Sequence, residues 1–296
     1  MNFSTSLAFF SWKPAAWLRV SGSDAAGFLQ GQFTNELRGI GVGRAVYGLW
    51  LNVKGKVLAD SFVLAGPTSG EFWVGSYYSP APMIRERLES FVIADDVVID
   101  DVSGEWAGVT LLDENAAAAP AAETPEGFVF RGRRSRDESV EWVFPNTSMD
   151  AVRSRLAGLR ELDENEMARR RINAGIPAVP VDVGPGDLPN EGGLDSDAIS
   201  YTKGCYLGQE VMARLKSMGQ VRRRLLRVSG VGENVPSLPA ALFAGRRQVG
   251  ELRSIATDGP GRFVGLAMLS LLNLEKEAEL AFAPDTTPTV RLVDSP

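Results

Sequence analysis

Lys203-Gly204-Cys205-Tyr206-Leu207-Gly208-Gln209-Glu210 holds the only cysteine of the chain. Gly204 and Gly208 bracket the thiol, which points to a tight turn rather than the interior of a regular element. Lys203 places a cation two residues upstream, and Gln209-Glu210-Val211-Met212-Ala213-Arg214 reads as the opening of a helix. Positive charge and a helix N-terminus both favour a thiolate, so Cys205 is a candidate reactive thiol with Lys203 as its activating neighbour. The competing expectation is a small buried hydrophobe, the usual fate of a free cysteine.

What the sequence lacks narrows the chemistry further. There is no histidine among 296 residues, which removes Ser-His-Asp and Cys-His systems and every histidine-based zinc motif. One thiol cannot form an internal disulfide, and it cannot hold an iron–sulfur cluster alone, since clusters take about four thiolates. Acid–base chemistry must then come from carboxylates, lysine, tyrosine, the thiol or a cofactor. Cysteine usage favours a reducing, cytoplasmic setting. Neither a leader-like N-terminus nor an apolar run of bilayer length is present, so no membrane partner is expected. A net charge of −6 argues against nucleic acid as a direct ligand. Local arginine clusters are exceptions. Arg131-Gly132-Arg133-Arg134 is expected on a solvated face, whereas Arg222-Arg223-Arg224 follows the cysteine motif closely enough to edge the same opening and bind an anion.

The elements that must position these groups follow from pattern. With 44% apolar residues, the length suits two or three globular domains. Trp17 to Val20 alternates as a strand, and Ser21-Gly22-Ser23-Asp24 caps a helix expected over Ala25 to Leu37. Ala45 to Leu51 and Val57 to Leu64 form a strand pair turning at Asn52 to Gly55, with a third strand at Glu71 to Val74. A helix over Met83 to Phe91 and a strand at Val97 to Ile99 come next. After an alanine- and proline-rich surface loop between Asp113 and Gly127, strands are expected at Phe128 to Phe130 and Glu141 to Phe144. Helices follow at Met149 to Gly158 and Glu161 to Asn173, the latter stopped by Gly175. Asp182 to Gly193 reads as an ordered but irregular loop. From Arg222 the texture changes to short alternating runs separated by turns, the mark of a small β-barrel. The fold class is α+β, with a boundary near residue 220: an N-terminal α+β region over residues 1–220 and a C-terminal barrel over 221–296.

The octapeptide resembles the signature of the YgfZ family, folate-binding proteins of iron–sulfur cluster maturation related to the T-protein (aminomethyltransferase) of the glycine cleavage system. Phe28-Leu29-Gln30-Gly31-Gln32-Phe33-Thr34-Asn35 resembles its FLQGQ-x-TN segment. Asn52-Val53-Lys54-Gly55-Lys56-Val57-Leu58-Ala59-Asp60 is similar to its N-x-KGK-x-x-x-D strand. Arg171-Ile172-Asn173-Ala174-Gly175-Ile176-Pro177 is similar to its RI-x-AGIP segment, and Pro189-Asn190-Glu191 to the P-x-E before the cysteine motif. These segments run in order from about residue 28 to 210; the remainder matches in general character.

The resemblance implies a T-protein-like, ring-like arrangement of domains around a cavity that binds tetrahydrofolate or a one-carbon derivative. It makes Asp60 the counterpart of the T-protein catalytic aspartate, with Ala59 where the relatives have another acid. It places Asn35, Met167 and Asn173 near the ring system, Met167 as a packing surface. Tyr201, Gln209, Glu210 and Arg214 are further folate-contact candidates, and Arg223 with its neighbours would meet the glutamate tail. Asn173 departs from the pterin-gripping carboxylate of the relatives, and an amide is a weaker acceptor than a carboxylate. Two functions stand: an accessory factor, using Cys205 beside folate to support iron–sulfur assembly or client proteins, including those of tRNA modification; or a tetrahydrofolate-dependent aminomethyl or one-carbon transferase centred on Asp60. Iron–sulfur client or assembly proteins are the implied partners.

Overall fold

A computed structural model describes residues 8–112, 126–136, 138–219, 221–232, 236–272, 274–275 and 278–293. The chain opens with β1 (Ala8–Trp12), β2 (Ala16–Ser21) and α1 (Ala25–Gln32), then β3 (Ala45–Leu51), β4 (Val57–Ala65), β5 (Phe72–Ser76), α2 (Ala81–Glu89) and β6 (Val98–Asp101). Strands β2 to β6 form one antiparallel sheet in the order β3-β4-β5-β2-β6. Helices α1 and α2 cover it, burying Leu29, Phe33, Ile84 and Leu88 against Leu18, Val20, Trp50 and Val63.

The second sheet starts from the N-terminal strand. Its order is β10-β1-β7-β9-β8, using β7 (Trp106–Leu112), β8 (Phe128–Arg131), β9 (Ser139–Pro145) and β10 (Arg160–Glu161). Helix α3 (Met149–Leu156) packs Val152 and Leu156 on Val109, Leu111 and Phe144. The opposite face packs Phe128, Phe130 and Val143 against Trp17, Phe62 and Trp73 of the first sheet. Covered on both faces, β7 shows no period-two alternation and was not legible from pattern; β1 is short and apolar throughout except for Ser11, which gives no period either. The alanine- and proline-rich segment expected as a surface loop lies, over residues 113–125, outside the described residues.

Helix α4 (Glu164–Ala174) starts later than its pattern suggests, because Asp163 caps it by accepting the Glu166 N–H at 2.7 Å and the preceding residues pair as β10. Gly175 stops it in the left-handed region at φ 70°. Helix α1 also ends short of the expected Leu37, since Phe33 turns extended. The segment 182–193 is turns with a single 3-10 turn at Pro189–Gly192.

After α5 (Gln209–Met218), strands β11 (Arg223–Val231), β12 (Ala240–Ala244), β13 (Arg247–Thr257), β14 (Arg262–Ser270), β15 (Glu279–Leu280) and β16 (Val290–Leu292) build the third sheet in the order β12-β13-β14-β11-β16-β15. A bridge between Phe243 and Ala281 nearly closes it into a barrel. Ile172 of α4 packs on Ala256, Val264 and Leu266 of this barrel. No helix among the described residues is long and apolar enough to cross a membrane.

Candidate functional site

Cys205 is exposed, and the loop that carries it is held from below. The side chain of Lys203 is buried, and its Nζ donates to the carbonyl oxygens of Gln30 at 2.8 Å, Phe33 at 2.7 Å and Asn35 at 2.8 Å. Burial pushes the amine down to about 8; Glu36 opposes this and Arg38 adds to it. The ammonium therefore persists at neutral pH, where three carbonyl oxygens satisfy its three donors. The expectation that Lys203 activates the thiol is corrected by this geometry: it anchors the loop to the C-terminal end of α1. Arg38 is the cation beside the turn, since a β-carbon at Gly204 would stand 3.9 Å from its guanidinium.

The two glycine motifs meet here. Gly208 takes φ 88° at the start of α5, where a β-carbon would stand 3.2 Å from the Asn52 carbonyl oxygen. Gly55, at φ 69° in the β3–β4 turn, would push a β-carbon to 2.9 Å from Val211 and Met212. The lysine-flanked hairpin and the cysteine loop thus interlock, glycine against helix on one side and glycine against hairpin on the other. Thr34 and Asn35 fix the approach to this loop. The Thr34 hydroxyl donates to the Ala198 carbonyl at 2.7 Å, and Asn35 Nδ2 donates to the carbonyls of Tyr47 and Asp197 at 3.0 Å. Asn35 is therefore committed to backbone rather than offered to a ligand.

Asp60 lies in a sealed polar layer, 4% exposed. Its carboxylate accepts from Ser76 and Ser79 hydroxyls at 2.7 Å each and from Tyr47 at 2.9 Å. Burial pushes its pKa up, against the three hydroxyl donors and the Arg133 guanidinium. Arg133 stacks on the Tyr47 ring at 4.3 Å and holds Asp197 with both arms at 2.8 and 3.1 Å. A raised folded-state pKa stabilises the fold at acid pH, and that contribution is lost as pH rises through the folded value. Asp60→Asn keeps an acceptor and a neutral donor, so in denaturant titrations it should gain stability relative to the native chain as pH rises from the ordinary carboxylate range towards neutrality. A difference that stays constant across this range would show that Asp60 titrates as it does unfolded.

A cleft of about 1120 Å³ runs along β1 and between α3 and α4. Phe10, Trp12, Tyr77 and Tyr78 wall it, with Met167 and Arg171 from α4. Glu164, Met167, Ala168 and Arg171 recur at helical spacing on one face of α4; Asn173, about 200° round from Arg171, falls on another. Asn173 is exposed, and its carbonyl accepts from Arg227 at 2.8 Å. In the cleft wall, Arg134 is 3% exposed, lies 3.8 Å from the Tyr77 ring centre, and donates to Tyr78 Oη at 3.1 Å. Its Nε is a buried donor without an acceptor among the described residues. Behind it, burial pushes the Glu141 carboxyl up while Arg134 and Thr110 oppose this.

The residues singled out from the sequence thus divide. Met167 lines the cleft; Asn35, Asp60, Asn173 and Cys205 do not. Tyr201 lies under the Lys216 ammonium at 4.0 Å, and Gln209, Glu210 and Arg214 belong to α5, away from the cleft lining. Arg223 is bound to Asp187 at 3.0 Å and to Glu191 at 3.0 and 3.1 Å, so it does not edge the large opening. The solvated face expected at residues 131–134 is corrected as well: Arg133 and Arg134 are drawn inside by Asp197, Tyr47 and the cleft's rings. Trp12, Tyr77, Tyr78 and Arg134 were missed as site residues; the adjoining tyrosines after β5 were the available signal.

Aromatic walls, a thioether and an unpaired buried donor suit a planar, acceptor-bearing ring, and the cleft fits a folate in those terms. The model of the GCVT N-terminal domain family matches residues 2–119. The mitochondrial iron–sulfur cluster assembly factor IBA57 of Mus musculus is 31% identical over 86% of this chain and 75% of that protein. Its Homo sapiens counterpart is 31% identical over 92% of this chain and 83% of its own length. The tRNA-modifying protein YgfZ of Vibrio vulnificus (strain YJ016) is 27% identical over 90% of this chain and 85% of its own. Aminomethyltransferase T of the glycine cleavage system from Bartonella henselae superposes with a TM-score of 0.77 at 14% identity, over 98% of this chain and 85% of that one. Sheet order and cleft thus define a protein of the aminomethyltransferase T fold. Within that class, the chain belongs to the IBA57/YgfZ family.

Proposed function

We propose that this chain is a folate-binding accessory factor for the assembly or repair of iron–sulfur clusters in other proteins. The observation that carries this reading is a solvent-facing Cys205, on a loop clamped by Lys203, in a chain that has a separate cleft walled by aromatic rings. Phe10, Trp12, Tyr77, Tyr78 and Met167 would hold the ring system. A bound tetrahydrofolate supplies a carrier for one-carbon units. Cys205 contacts a cluster, a sulfur species or a client thiol, and a lone exposed thiol keeps that ability in a reducing, cytoplasmic setting. Net charge of −6 supports the view that the tRNA modification in the name of the YgfZ relatives reaches this chain through protein clients. Aminomethyl transfer, the alternative, is disfavoured by Asp60, whose oxygens are all engaged inside the sealed layer.

Titration with tetrahydrofolate, followed by tryptophan fluorescence, tests the reading, because Trp12 lines the cleft. Saturable quenching is expected in the native chain and undiminished in Cys205→Ser, while Cys205→Ser alone abolishes support of iron–sulfur enzymes in cells. Folded protein that binds no folate up to about 1 mM would end the folate reading. Full cellular function of Cys205→Ser would remove the thiol from it.

A further inference from the structure

The sheet register gives the large cleft a polarity. At one end, Trp12 pairs with Gly108 and Trp106 with Pro145, so the end of β1, the start of β7 and the end of β9 share an edge. Lys13 follows directly from β1 there, and Arg153 lies one turn into α3, which starts from the same edge at Met149. At the other end, Phe9 pairs with Glu161, and Glu164 opens α4. Lys13, Arg153, Glu161 and Glu164 all line the cleft. Lys13 and the Phe9 position that pairs with Glu161 are four residues apart along β1, about 13 Å, while the Glu161 carboxylate reaches back to Ser11, so Glu164 marks the acidic end.

The two ends also differ in what already occupies them. Glu161 accepts from the Ser11 hydroxyl at 2.7 Å. Lys13 and Arg153 are exposed and have no carboxylate partner among the described residues. By contrast Arg223 of the cluster after α5 is saturated by Asp187 and Glu191, and that cluster does not line the cleft. We infer that Lys13 and Arg153 form the subsite for the carboxylate tail of the cleft's ligand, a γ-glutamyl chain, and that Glu164 repels the tail from the opposite end. The ligand is thereby oriented, ring towards Tyr77, Tyr78 and Met167 and tail outward past the start of α3. This assignment rests on the folate reading above and adds residues and a direction to it.

The test compares tetrahydrofolate monoglutamate with its triglutamate on the full chain, by calorimetry at low salt. Wild type is expected to bind the triglutamate about five-fold or more tightly, the range that exposed ion pairs supply, with the preference shrinking as salt rises. The Lys13→Glu, Arg153→Glu double variant should lose or invert the preference while its monoglutamate affinity changes less. Arg222→Glu with Arg224→Glu should keep it. Binding of both folates without a preference in wild type, a preference that survives in the Lys13/Arg153 variant, or one that disappears in the Arg222/Arg224 variant overturns the tail subsite and leaves folate binding standing. No binding of either folate to folded wild type overturns both.

Discussion

Arg171→Leu is expected to destabilise the fold by about 3–5 kcal/mol, the usual cost of removing one partner from a buried ion pair. Asp182 is fully buried and lies 2.6 Å from the Arg171 guanidinium, while also accepting the Ala178 N–H at 2.8 Å. Arg171 further donates to the Ile176 carbonyl at 2.8 Å and to Ser254 Oγ of β13 at 3.0 Å. One side chain thus joins α4, the turn that follows it and the barrel. Leucine would fill much of the volume yet leave Asp182 charged and unpaired. Urea titrations should show the loss, and Arg171→Leu combined with Asp182→Asn should recover a large part, because removing both partners costs far less than removing one. A single variant within about 1 kcal/mol of wild type would mean that the pair is no more than a surface bridge.

Lys203→Met should cost about 3 kcal/mol. Three charge-assisted hydrogen bonds are lost, each worth about 1.5–3 kcal/mol, and the relief of no longer burying an ammonium offsets part of that. Lys203→Arg should not rescue, since a planar fork cannot meet three carbonyls gathered around one nitrogen. The loop carrying Cys205 should also become sensitive to limited proteolysis, which separates loss of an anchor from a general loss of stability. An unchanged unfolding midpoint with a protected loop would remove the clamp from this account.

Part of the fold was open to reading from local signals. The alternation over Trp17 to Val20, the Asn52 to Gly55 turn between β3 and β4, and the glycine stop of α4 each have a local cause. β7 gave none, since both of its faces are covered. The site was legible only in part for a related reason. Motif matching located Cys205, Asp60 and Lys203, but a residue's type does not say which way its charge is spent. Lys203 turned to backbone carbonyls, Asp60 to hydroxyls and Arg223 to Asp187 and Glu191. Arg134 looked like surface and became a wall of the cleft, because Tyr77 and Tyr78 come from a segment far away in sequence.

The clamp on α1 has a consequence for how the chain is made. Lys203 closes on carbonyls that precede it by 168 to 173 residues. Strand β1 waits in the same way for β7 and β10. Synthesis must therefore run 168 residues or more past α1 before that helix receives its final cap, and β1 waits about 100 residues for β7, its first neighbour. Order of synthesis is not order of completion here. The segment bearing Cys205 is the piece that finishes the amino-terminal layer, so the thiol is presented only by a chain whose beginning has already been locked.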